Sequence, residues 1–310
     1  MTPPPAPSDA VAIELNAVLV ALTANQPLVL TLEDGTLLPS GPFATEHPTL
    51  QSGLRAWVER QTNHPLGYIE QLYTFADRNR PASDGHRRVV SISYLGLTRE
   101  RLSTGARDPE WRSWYRYFPW EDWRAGPSPL IAGTILPKLA TWVEAGGDAA
   151  SRRERQQRVE VSFGDGAEVW NEDLVLQRYE LLYEADLVPE ARHPTGDPVP
   201  GMPMRHDHRR ILATGIARLR AKIKYRPVFF ELMPPEFTLL QLQRAVEALA
   251  GRPMHKQNFR RLIDQQGLVE PTGASTSEAR GRPAQLFRFR REVVLERAAA
   301  GSKLPLSRPI

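Results

Sequence analysis

The chain has 310 residues, enough for two domains with separate cores, and a globular composition with 41% hydrophobic and 25% charged residues. It has no cysteine, which excludes a disulfide framework and thiolate chemistry. The net charge of +4 hides a division: residues 205–310 carry 21 Lys+Arg against 9 Asp+Glu, net +12, whereas residues 1–204 carry 19 against 27, net −8. Only the second half attracts polyanions.

No stretch approaches 18 consecutive apolar residues, and the opening MTPPPAPSDA has neither the basic start nor the apolar core of a signal peptide. The expectation is a cytoplasmic chain with no membrane partner and a disordered start over residues 1–10. A first domain is expected over 11–188. Residues 12–22 and 27–33 read as strands, closed by the turn residues Glu33-Asp34-Gly35-Thr36. The Pro-containing loop LLPSG at 37–41 leads to a helix over 50–62 on which Leu50, Leu54, Trp57 and Val58 share a face. GYIEQLYTF at 67–75 and RVVSISYLGL at 88–97 read as strands flanking a polar, turn-rich loop at 76–86.

Residues 111–123 (WRSWYRYFPWEDW) gather four of the seven tryptophans and three further aromatics. Two readings stay open for them. One is a platform on which an adenine or nicotinamide ring stacks, with Arg112, Trp114, Arg116 and Trp120 binding an effector and Arg124 also near its phosphates. The other is a structural plug or a dimer contact. Residues 131–146 and 150–162 read as helices, the second with a solvated charged face. A further helix over 174–187 sets Leu174, Leu181, Leu182 and Ala185 on one stripe.

Residues 189–204 hold five prolines and two glycines and read as an interdomain linker. The second domain, 205–310, opens with a long helix that Asp207 can cap. Its Leu212, Ile216, Leu219 and Ile223 form a seam suited to a partner helix, which makes it the connector between domains. His206 and His208 read as a solvent-facing pair, with no further ligand in view for a metal.

Thr238 and Gln241 form a capping-box pattern, flanked by Phe237 and Leu242 as a hydrophobic staple. Leu239, Leu242, Val246 and Leu249 then mark a helix that Gly251 and Pro253 stop. A second helix over 255–266 sets Phe259, Leu262 and Ile263 on one side and Lys256, Gln257, Arg260 and Arg261 on the other. Those last four are of the types that contact phosphates or read purine edges in a major groove. Gly267 ends it. Leu268–Thr272 and Gln285–Arg290 read as a two-stranded wing with Phe287 and Phe289 on one face and Arg280 and Arg282 at its tip, suited to minor-groove or phosphate contact. The whole is a helix-turn-helix with a basic wing. No nucleophile triad, phosphate-cradling glycine loop or internal repeat is present.

The strand, the LLPSG loop, the helix, GYIEQLYTF and RRVVSISYLGL together resemble the Nudix domain of Nudix-related transcriptional regulators. The run from His206 to Arg290, with RPVFFELMPPEFTLLQLQRAVEALAGRP, NFRRLIDQQGLVE and GRPAQLFRF, resembles the winged helix of the NrtR and NadQ-like regulators of NAD metabolism. The resemblance implies an α+β chain: a Nudix-like α/β/α sandwich followed by a winged helix-turn-helix domain. It also implies a homodimeric repressor of NAD synthesis or salvage genes, a palindromic operator on double-stranded DNA, and a nucleotide effector such as NAD, ADP-ribose or ATP.

A Nudix hydrolase holds its divalent metal on the carboxylates of a helix of the form R-E-U-x-E-E-x-G-U. Aligned on LRAWVERQTN, Ala56 and Trp57 take the Arg-Glu pair, Arg60 and Gln61 take the two metal-binding glutamates, and Asn63 takes the glycine. Glu59 alone survives nearby, read as a solvated surface acid. Hard cations require oxygen ligands, chiefly carboxylates. No metal and no catalytic residue is therefore expected. The alternatives are an active pyrophosphohydrolase with an accessory polyanion-binding domain, and a DNA-compacting protein without sequence choice.

Overall fold

The computed structural model describes residues 11–63, 66–76, 89–98, 109–164, 170–194, 196–225, 231–276 and 283–290. The elements follow in the order β1 (Ala12–Thr23), β2 (Gln26–Thr31), β3 (Ser40–Pro42), α1 (Leu50–Thr62), β4 (Tyr68–Phe75), β5 (Val89–Leu97), β6 (Glu110–Ser113), α2 (Leu136–Glu144), α3 (Ala149–Phe163), α4 (Val175–Glu184), α5 (His208–Tyr225), α6 (Leu239–Ala250), α7 (Lys256–Gln266), β7 (Val269–Thr276) and β8 (Ala284–Phe289).

The first sheet runs β4-β5-β1-β2-β6, with β3 also on β1. The long β1 is its spine. It pairs in parallel with β5 from Ala12↔Val89 to Val20↔Leu97, and antiparallel with β2 and β3 along its other edge. Successive side chains of a strand point to opposite faces. Leu15, Ala17 and Leu19 accordingly join Leu54 and Val58 of α1 in one core. Val18 and Val20 join Tyr179 and Leu182 of α4 and Leu212, Ile216 and Leu219 of α5 in another. Helices therefore cover both faces, as the α/β/α expectation requires.

Thr49 starts α1 because its hydroxyl accepts from Ser52 N–H (3.1 Å) while its own N–H donates to Ser52 Oγ (2.9 Å). Asn63, left-handed at φ 51°, ends it. Gly41 of the LLPSG loop has to be a glycine, since a Cβ there would enter the indole of Trp57. Trp57 Nε1 in turn donates to Pro42 O at 2.8 Å, so loop and helix hold one another.

The apolar seam of α5 finds its partner helix within this chain: Leu212, Ile216 and Leu219 pack with Tyr179 and Leu182 of α4 and against the sheet, where a Cβ added at Gly215 would lie 2.8 Å from Val18 Cγ1. One expectation about α5 is corrected. His208 is no solvent-facing residue: it is 1% exposed, and its Nδ1 accepts from Leu38 N–H at 2.8 Å. Burial lowers its pKa to about 3, so it is neutral in the folded protein. The proline-rich 189–204 stretch packs against the sandwich along part of its length, with Val199 N–H donating to Leu187 O at 2.8 Å and Val199 and Met204 buried.

Beyond α5, Phe237 exchanges both backbone hydrogen bonds with Phe287 (2.9 and 2.8 Å), adding a bridge to the β7-β8 ribbon. Its ring lies 4.6 Å from that of Phe289. The ribbon extends past the expected Thr272 to Thr276, with an irregularity in register between Pro271 and Ser275.

Candidate nucleic-acid interface

The expected cap of α6 is present in both directions: Thr238 Oγ1 accepts from Gln241 N–H (3.2 Å) and Gln241 Oε1 accepts from Thr238 N–H (2.7 Å). Leu242, Val246 and Leu249 are buried, and Gly251 closes the helix in the left-handed region at φ 75°. The turn into α7 is fastened from α6. Glu247 Oε1 accepts from Met254 N–H at 2.9 Å, and Gln243 Nε2 donates both to Met254 O (3.0 Å) and to Glu247 Oε1 (2.9 Å). The start of α7 is thus set by side chains of the helix before it.

Phe259 and Ile263 anchor α7, at 2% and 4% exposure. Leu262, expected on the same side, is 42% exposed, because a helical step of about 100° carries it out of the narrow contact. Lys256, Gln257, Arg260 and Arg261 are all exposed, and Gly267 caps the helix at φ 56°. Among the described residues their side chains have no partner, which is the condition for contacting a duplex. Arg280 and Arg282 lie outside the described residues, as does most of the loop at 76–86. On the adjoining ribbon, Arg288 pairs with Glu270 at 2.8 Å.

The α1 face is different in kind. Gln61 donates to Ser40 O (2.7 Å) and accepts from Ser40 N–H (3.1 Å), and Arg60 lies over the Trp57 ring at 3.8 Å. Arg55 donates to Leu66 O and to Gly67 O. Glu59 is exposed. Among the described residues, no three His, Cys, Asp or Glu side chains gather as a metal site would need.

Within the aromatic run, Trp114 and Trp120 are 0% exposed and belong to the larger core, so their ring faces meet protein. The packing reading describes this arrangement. Arg112 pairs with Glu110, Arg116 is exposed, and Arg124 is held by Asp122 (2.8 Å to Oδ1) and Asn25 O (2.7 Å). Of the four candidate effector residues, Trp114 and Trp120 are enclosed, Arg112 is half-buried and Arg116 is exposed. Pattern reading missed a buried cluster here: Glu121 accepts from both Arg178 and Arg220. The signal was an arginine inside each of two otherwise apolar helical stripes. No helix among the described residues is long and apolar enough to cross a membrane.

Residues 229–289 match the family model of the NrtR DNA-binding winged helix domain. The "ADPR responsive transcriptional repressor NtrR" of Acinetobacter baylyi is 42% identical over 83 residues, 27% of this chain. The match spans 33% of that relative's length. The crystal structure of Shewanella oneidensis NrtR complexed with a 27mer DNA is similar with a TM-score of 0.54 at 21% identity, covering 91% of this chain and 95% of that one. A MutT/nudix family protein from Enterococcus faecalis is similar with a TM-score of 0.51 at 16% identity, covering 91% and 88%. Residues 229–289 thus form a winged helix of the NrtR type, and the chain shares the overall fold of the Shewanella protein.

Proposed function

We propose that this protein is a DNA-binding transcriptional repressor of NAD synthesis or salvage genes, controlled by a nucleotide that its Nudix-like domain binds without hydrolysing. The observation that carries the reading is α7, anchored by Phe259 and Ile263 with Lys256, Gln257, Arg260 and Arg261 exposed on the most basic part of the chain. ADP-ribose leads NAD and ATP as the effector, supported by the name of the Acinetobacter relative. The 27mer DNA bound by the Shewanella protein supports a duplex as the partner. Loss of hydrolysis is supported by Arg60 and Gln61, which offer no carboxylate and are engaged with Trp57 and Ser40.

Acting as a homodimer, the protein would read half-sites about 10 to 10.5 base pairs apart, or a multiple of that, on a palindromic operator. Gel shifts with the promoters upstream of neighbouring genes, repeated with ADP-ribose, NAD and ATP, test the reading. We expect one promoter to be retained selectively and the effector to change its affinity roughly 5- to 150-fold, the range of a typical allosteric coupling. Equal affinity for every duplex, or magnesium-dependent turnover of ADP-ribose, would overturn it.

A further inference from the structure

The C-terminal end of α6 is held by the sandwich domain. The last carbonyls of a helix lack partners within the helix and are ordinarily met by water, a cap or a side chain. Here Ala248 O accepts from Tyr115 Oη at 2.6 Å, Leu249 O accepts from Arg220 Nε at 3.0 Å, and Gly251 O accepts from Trp123 N–H at 2.6 Å. Two of these three donors come from the aromatic run and the third from α5. All three acceptors lie within eight residues of the start of α7.

Behind these contacts sits a fully enclosed ion cluster. Glu121 is 1% exposed and accepts from Arg178 Nε (2.6 Å) and Arg220 Nη1 (2.6 Å), while both arginine side chains are 0% exposed. Arg178 also donates to Ser162 O (2.9 Å) and Asn171 O (3.0 Å), and Arg220 to Glu172 O (3.1 Å) and Glu121 O (3.2 Å). Burial pushes the Glu121 carboxyl up, but the two guanidiniums more than offset this and hold it below the usual carboxylate range. Arg178 lies 3.7 Å over the Trp170 ring, which stacks on Trp123 at 4.2 Å. The cluster thus stiffens both Arg220 and the Trp123 segment, the two pieces that grip α6.

Gly251 is shaped to this grip. Its φ of 75° favours glycine. A Cβ there would also run into Glu121 O and lie 2.6 Å from Arg220 Nη2 and 3.0 Å from Tyr115 Oη.

We infer that Tyr115, Glu121 and Arg220 are positioning residues for DNA reading: they clamp the end of α6 to the sandwich domain and so fix the direction in which α7 faces. The inference rests on the proposed DNA-binding function. It makes the aromatic run the bearing surface between the domains, and α5 the element that links the sheet to this surface through Arg220.

The test uses the full chain and its Tyr115→Phe, Arg220→Met and Gly251→Ala variants. Arg220→Met leaves Glu121 paired with Arg178, so no buried carboxylate is stranded. The duplex probe is one that the wild-type chain selects from a random library, with a scrambled duplex as control. Amide exchange is followed in residues 246–254, with β1 and β5 as internal references. We expect exchange in 246–254 to rise about tenfold in each variant while the sheet amides keep their protection, as a local opening would give. Affinity for the selected duplex is expected to fall about fivefold or more, with the scrambled duplex less affected, as for a coupling at the lower end of the usual range. If exchange and selective affinity both stay at wild-type values, there is no clamp. If exchange rises but selective affinity does not change, the grip exists and the positioning role is wrong. If the wild-type chain selects no duplex, the DNA-reading function itself fails, and with it the clamp's role in reading, whatever the exchange shows.

Discussion

Helices α1 and α7 are both short and amphipathic, and both end on a left-handed residue, Asn63 in one and Gly267 in the other. They spend their polar side chains in opposite ways. On α1, Arg55, Trp57 and Gln61 bond to backbone atoms of this chain, and Arg60 covers Trp57. On α7, the polar side chains from Lys256 to Arg261 are exposed and, among the described residues, uncommitted. A helix whose donors are already used stabilises its own loop. One whose donors are free can be used by a partner. The difference lies in their side-chain partners rather than in helix geometry or charge count.

The largest effect that could break this contrast is on DNA. The double variant Arg260→Ala, Arg261→Ala should lose roughly 100-fold or more in affinity for a selected duplex, since each good base contact is worth about 1 to 3 kcal/mol. Lys256→Ala should weaken all duplexes more evenly and lower the salt slope by about one. Anisotropy titrations at several salt concentrations measure both, and an unchanged double variant would remove α7 from the interface.

Next is acid stability, where a buried neutral group ties the sandwich to α5. The His208 pKa is about 3 in the folded protein against 6.5 as the ordinary value. Unfolded chains therefore take up a proton that the folded protein refuses. The stability this confers is complete above pH 6.5 and falls as the pH drops from 6.5 towards 3, by about 1.4 kcal/mol per unit. Urea denaturation of His208→Asn should show a shallower acid limb. The same limb in both proteins would place the loss elsewhere.

The third prediction sharpens the reading of α1. Gln61→Glu removes the donor to Ser40 O and sets a carboxylate beside that carbonyl. It should cost about 1 to 3 kcal/mol in denaturant unfolding and leave magnesium-dependent turnover of ADP-ribose at background. A gain of turnover would show that the site needs only its acids restored. The smallest expected effect is Thr238→Ala, which breaks the cap of α6 and should lower stability by about 1 kcal/mol. A loss of DNA affinity much beyond that would mean the cap also orients the helix pair.

Local signals carried much of the architecture. The apolar run in β1 marked it as a strand, and the Thr238-Gln241 pattern with Gly251 and Gly267 placed α6 and α7 within a residue or two. Capping and periodicity act over neighbouring residues, so a string of letters is enough to see them. The exposed basic side of α7 was legible for the same reason, since a helical repeat and two apolar anchors leave only one face for the cations.

What the sequence could not determine is which groups are joined across long separations. It left the aromatic run between a ligand platform and a plug, and only the arrangement of α4, α5 and α6 around it buries Trp114 and Trp120. It read His208 as solvated, since nothing near it in the chain announces that Leu38 N–H, 170 positions away, will come to its imidazole. Glu121, Arg178 and Arg220 likewise look like surface charges until they are brought together; the cost of burying each charge is offset only when its partners arrive with it. Short-range chemistry determined the elements of this protein, and tertiary packing decided which of its polar groups became structure and which were left free to bind.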